Sequence, residues 1–178
     1  MRADLPPDGL DLFDTPQPPA PWDFLERLDH LLDAAREPVS AFRSALAEGD
    51  AALKQRFLAD EPIEELVHDR ARLVDSLLRH AWQRHVGPYS SRLGLLAVGG
   101  YGRGELLPCS DIDIMILLPQ TEAEDWTPHL ERFLTFLWDI GLEVGHSVRT
   151  VDDCRREAQG DVSIATTLIE ARMLEGPE

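Results

Sequence analysis

The sequence has no apolar run near the ~20 residues that cross a bilayer as a helix, so no membrane span is predicted. Its first 21 residues, MRADLPPDGLDLFDTPQPPAP, contain no apolar stretch of the secretory kind, and a cytoplasmic location is the expectation. Cysteine is scarce. Cys109 and Cys154 form no CxxC pair, and no Cys/His cluster has the spacing of a zinc site, so both read as free thiols in a reducing compartment. Basic residues are few: 17 Lys and Arg stand against 33 Asp and Glu, a net charge of -16. Such a surface repels nucleic-acid phosphates, so general nucleic-acid binding is not expected. Two phosphate motifs are also missing. The glycines of GGYGRGEL are not spaced as GxGxxG, and no GK[ST] follows them, which excludes the dinucleotide-binding turn and the P-loop.

What is present is a chain of 178 residues, 43% hydrophobic and 28% charged, in the range of a soluble globular domain. Residues 1–21 hold six prolines and little apolar periodicity, and read as a flexible leader. Residues 22–88 read as helical. Trp22, Leu25, Leu28, Leu31 and Leu32 form one stripe, Pro38 ends that helix, and Phe42, Leu46, Leu53 and Phe57 fit a second. A third is predicted from Pro62 to about His85, broken by Gly87-Pro88. From Leu93 the texture changes. LGLLAV, DIDIMILL and LEVGHSVRT read as strands, residues 122–138 as a helix, and residues 151–158 and 161–174 as two more. The predicted fold is α/β (α+β in the stricter usage), a small mixed sheet flanked by helices with a helical N-terminal extension. Residues 89–178 would be the functional core, and its end directly after a helix predicts truncation there.

The chemistry concentrates between Gly99 and Asp113. Side chains alternate along a strand, so Asp111 and Asp113 share one face while Ile112, Ile114 and Ile116 share the other. Adjacent carboxylates repel one another and make sense around a cation. Hard oxygen ligands favour magnesium or manganese, which substrate phosphates would also hold. Gly99 and Gly100, at the end of a strand, let backbone N–H groups approach a phosphate. Arg103 and Ser110 are further candidate phosphate contacts, with an ion pair to Glu105 and a turn cap as their structural alternatives. Either motif alone would be an ordinary turn or a pair of solvated acids. The two together, with ten residues between Gly100 and Asp111, are far more specific.

Gly-Gly, a spacer and then Asp-x-Asp on a strand resembles the signature of the DNA polymerase beta-like nucleotidyltransferase superfamily. The stretch AVGGYGRGELLPCSDIDIMILLP is similar to the bifunctional uridylyltransferase/uridylyl-removing enzymes of bacterial nitrogen control, and FLWDIGLEVGHSVRTVDDCRREAQGDVSIATTLIEARML strengthens the likeness. It covers roughly residues 60–175. The resemblance implies transfer of UMP from UTP to a tyrosine of the nitrogen-regulatory PII protein, with release of pyrophosphate. Gly99 and Gly100 carry over as phosphate-loop glycines, and Asp111 and Asp113 as catalytic metal ligands. The superfamily's third carboxylate comes from a later strand. Glu143 is the candidate, with an exposed strand residue as its equal alternative. His146 reads as structural and Arg149 as half of a surface ion pair. The family's uridylyl-removing HD domain and glutamine-sensing ACT domains have no counterpart here, which predicts a fragment. The lone His68-Asp69 pair reads as an accident of a helix surface. Two other readings stay open: a related signalling nucleotidyltransferase with another target, and a nucleotide-binding regulatory module without turnover.

Overall fold

The computed structural model describes residues 23–33, 38–120 and 126–177. The leader predicted over 1–21, Trp22 and the start of the helix predicted from 122 lie outside these residues.

Three helices come first: α1 (Asp23–Asp33), α2 (Pro38–Leu58) and α3 (Ile63–Val86). The third organises the molecule. Glu64 and Glu65 in its first turn and Arg84 and His85 in its last complement the helix dipole. Leu73, Val74, Leu77, Leu78, Ala81 and Trp82 along it are completely buried. The chain then tightens into a single 3-10 turn over Gly87–Tyr89, where Pro88 has no N–H to continue the helix.

The second half is β1 (Gly94–Ala97), a one-turn α4 (Gly99–Gly102), β2 (Ile112–Leu118), α5 (Thr127–Asp139), β3 (Val144–Thr150), α6 (Val151–Gly160), α7 (Val162–Ile169) and β4 (Arg172–Glu175). The sheet order is β3-β2-β1-β4. β1 pairs antiparallel with β2 and β4, while β2 and β3 are parallel. Parallel neighbours need a crossover, and α5 supplies it. One sheet face packs with α1, α2, α3 and α5 in a single core. On the other face Leu96, Val98, Met115 and Cys154 form a smaller cluster beneath α6 and α7. The fold is a mixed α/β architecture, a small four-stranded sheet flanked by helices, as the sequence pattern implied.

Three local expectations are corrected. The helix predicted over 161–174 ends at Ile169, and the chain turns into an edge strand paired to β1. A four-residue strand shows only its burial alternation, and Leu174 faces the core because β1 lies beside it. The predicted apolar stripes also overreach. Leu28 and Leu32 are buried, but Leu31 and Phe57 are 47% and 58% exposed. Helical periodicity assigns a face; neighbouring elements decide how much of it is covered. Finally, Asp69 is not a surface accident. It is buried and ion-paired to Arg56 at 2.7 Å and Arg72 at 3.1 Å.

Candidate active site

β2 is buried on one face through Ile112, Ile114 and Ile116. Asp113 is on the opposite face, and Asp111 stands immediately before the strand; both are exposed. Further along this face Met115 is covered, with Cys154 Sγ at 3.8 Å from its sulfur. The carboxylates sit where that cover stops. Asp113 pairs in register with Gly145 of β3. A Cβ at residue 145 would fall 2.4 Å from Asp113 Oδ1, so the side chain occupies space that only glycine leaves. Partial burial pushes the Asp113 carboxyl above its ordinary range, and the neighbouring Asp111 charge adds to the shift.

The glycine turn is fastened to the same strand. The Val98 N–H donates to the Asp113 carbonyl at 3.0 Å, and the chain then turns through α4. Gly99 has φ +60°, a backbone conformation costly for a residue with a side chain, and a Cβ there would stand 3.7 Å from Asp113 Oδ2. The two motifs read from the sequence are therefore adjacent in space.

They open into a cavity of about 680 Å³, within the range of small-molecule and cofactor sites. Gly100, Arg103, Ser110, Asp111 and Asp113 line one side, and His68 of α3 lines another. Among the described residues, Gly99 and Glu143 are not part of this lining. Arg103 makes the ion pair with Glu105 at 3.1 Å that was its alternative, and a second with Glu170 at 2.9 Å. It remains 47% exposed on the cavity wall. Ser110 donates its N–H to the Leu107 carbonyl at 3.1 Å. Glu143 lies one residue before β3 rather than on it, and its carbonyl accepts from the Ile112 N–H at 3.3 Å. The β2–β3 ladder begins one residue later, at Ile112 and Val144. His146 lies edge-on to Trp138, with ring centroids 6.1 Å apart, and Arg149 pairs with Glu157 at 3.0 Å.

A divalent cation suits this donor set. Two hard carboxylates whose charges oppose each other gain most from one, and magnesium is ordinarily held by one or two carboxylates with substrate phosphates completing the shell. Among the described residues no group of three or more His, Cys, Asp or Glu is placed to hold a metal ion.

The Asp-x-Asp thus lies at the start of a central strand, beside a glycine turn, on a four-stranded mixed sheet. Residues 78–169 match the family model described as Nucleotidyltransferase domain, and the chain belongs to that family, a class of transferases. Its similarity runs further, to proteins called bifunctional uridylyltransferase/uridylyl-removing enzyme. Over 141 residues it is 49% identical to that of Ectopseudomonas mendocina, 50% to that of Pseudomonas putida and 48% to that of Pseudomonas fluorescens. Each comparison covers 79% of this chain but only 16% of the relative's length.

Several residues around the site were not singled out from the sequence: Gly145, Gly102, Glu170, the buried Asp75 and Tyr101, and the half-buried Arg172. A signal existed for one of them. Asp75 sits between Val74 and Leu77 on a helix with a continuous apolar face, where an unpaired acid would be costly.

Proposed function

We propose that this chain carries the uridylyl-transfer site of such an enzyme, moving UMP from UTP to a tyrosine of the PII protein. The observation that carries the reading is the Asp111–Asp113 pair, seated against Gly145 and beside the Gly99-Gly100 turn, opening into a nucleotide-sized cavity. Uridylyl transfer enters through the names of relatives about half identical to this chain, and UTP and PII through the family resemblance of the sequence. The tyrosine oxygen would bond to the α-phosphorus as the bond to the bridging oxygen breaks, pyrophosphate leaves, and the phenolic proton passes to solvent. Asp111 and Asp113 would hold magnesium or manganese, which supplies positive charge against the triphosphate and the leaving group. The protein's part is positioning. The glycine turn admits the phosphates, Arg103 and Ser110 border them, and the carboxylates fix the reacting end. Residues 89–178 would form this core against the helical region 22–88, and a cytoplasmic location belongs to the same reading. No helix among the described residues is long and apolar enough to cross a membrane.

A regulatory module that binds nucleotide without turnover is the second reading, favoured by the absence of Glu143 from the cavity lining. Pyrophosphate release, measured with each nucleoside triphosphate in turn, with and without PII, separates the two. Release that requires UTP, PII and divalent metal together is expected. Release with another nucleotide or acceptor would redirect the substrate, and nucleotide binding without release would leave the module. Glu143→Gln is expected to lower turnover while nucleotide binding stays measurable; unchanged turnover would move the third carboxylate elsewhere.

A further inference from the structure

Asp75 is 7% exposed in the middle of α3 and has partners from two other parts of the chain. Arg172 of β4 grips it with two nitrogens, Nη1 to Oδ2 at 2.6 Å and Nη2 to Oδ1 at 3.0 Å. The Tyr101 hydroxyl donates to Oδ1 at 2.7 Å. The same guanidinium also donates from Nε to the Gly102 carbonyl at 3.3 Å and from Nη2 to the Tyr101 carbonyl at 3.4 Å. Both carbonyls belong to the glycine turn. The Tyr101 ring is 2% exposed and lies beneath the guanidinium, whose carbon is 5.6 Å from the ring centre. Behind the turn, a Cβ on Gly102 would stand 2.2 Å from the Glu170 carbonyl oxygen, so the backbone is wedged against the end of α7.

A buried ion pair is a poor way to gain stability, because desolvation offsets much of its attraction. Its advantage is directional, since each bond here fixes one atom of the turn or of the carboxylate that anchors it. We propose that Asp75, Tyr101 and Arg172 form a positioning clamp that sets the conformation of the Gly99–Gly102 turn and thereby its affinity for nucleotide phosphate. Nucleotide binding then depends on the seating of β4 against α3, an element of the helical layer. The ligand in this inference rests on the nucleotidyl-transfer reading; the clamp itself does not. The three residues act through the turn's backbone.

Tyr101→Phe keeps the buried ring and removes only the donor. Arg172→Lys keeps the charge and loses the fork that reaches both carbonyls. Amide hydrogen exchange is measured at Gly102, Arg103 and Gly104, with Leu95 and Leu96 of β1 as internal reference, beside the dissociation constant of magnesium–UTP and a thermal melt. Exchange in the turn should rise by about tenfold in either variant, the scale of one charge-assisted hydrogen bond, with β1 unchanged. The UTP dissociation constant should rise by about tenfold in parallel, with turnover at saturating nucleotide less affected. Exchange that is unchanged in the turn, or that rises equally in β1, overturns the clamp. Faster exchange in the turn without weaker UTP binding overturns its positioning role. A wild-type chain that binds no nucleotide sinks the transfer reading, and the exchange comparison still decides whether the clamp exists.

Discussion

At the residue scale, the site is a problem of crowding like charges. Asp111 and Asp113 share a face, and burial with mutual repulsion already disfavours ionisation of Asp113. Asp111→Asn and Asp113→Asn should therefore leave the metal-free protein as stable as wild type or slightly more so, while transfer falls by orders of magnitude. A thermal melt beside a pyrophosphate-release assay with titrated magnesium checks both. Variants that melt early, or that keep most of their activity, would make the pair structural. Gly145→Ala tests the same carboxylate from across the strand. The new methyl meets Asp113 Oδ1, the free end of a side chain that can swing away, so folding should survive. Displacing that oxygen by ~1 Å should cut turnover roughly 100-fold. An alanine variant with normal turnover would show that the Asp113 position is not critical. The acids were legible because their alternation with isoleucines is strictly local. Gly145 was not, because its constraint comes from a strand 32 positions away in the chain.

At the element scale, the junction of β3 and α6 is fixed by a capping box. The Thr150 hydroxyl accepts from the Asp153 N–H, and the Asp153 carboxylate accepts from the Thr150 N–H. The Thr150 side-chain and backbone bonds, and then Arg156, hold the Asp153 carboxyl down to about 2 from an ordinary 3.8. A lowered folded-state value stabilises the protein fully above the ordinary value, and the benefit is lost as pH falls from 3.8 toward 2. Asp153→Asn should flatten the dependence of melting temperature on pH across that window, and high salt should weaken the contrast because the group is only partly buried. An unchanged slope would mean the box contributes nothing to folding. The box also gives Asp153 a structural duty. The C-terminal β4 shows the limit of local reading: its four residues extend a helical pattern until β1 is placed beside them.

At the scale of the whole molecule, the helical layer and the sheet are not separable bodies. One core runs from Leu28 and Phe42 through α3 to Ile114 and Phe133. Trp82 lies at its centre, completely buried and edge-on to Phe133 at 5.2 Å. Trp82→Ala should cost about 3–5 kcal/mol and lower a single cooperative transition seen alike by far-ultraviolet and near-ultraviolet circular dichroism. A helical phase melting apart from the rest would refute that unity. The sequence by itself determined the order of the longer helices and of the first three strands, the α/β class, and the pairing of a glycine turn with two same-face carboxylates. Each of these rests on periodicity or on neighbours a few residues apart. Tertiary structure alone decided that β4 closes the sheet, that His68 borders the cavity, and that Arg103 is held by Glu170. It also decided that Asp75, Tyr101 and Arg172 meet. Those contacts join residues distant in sequence, and a buried charge reveals its partner only when the chain has folded around both.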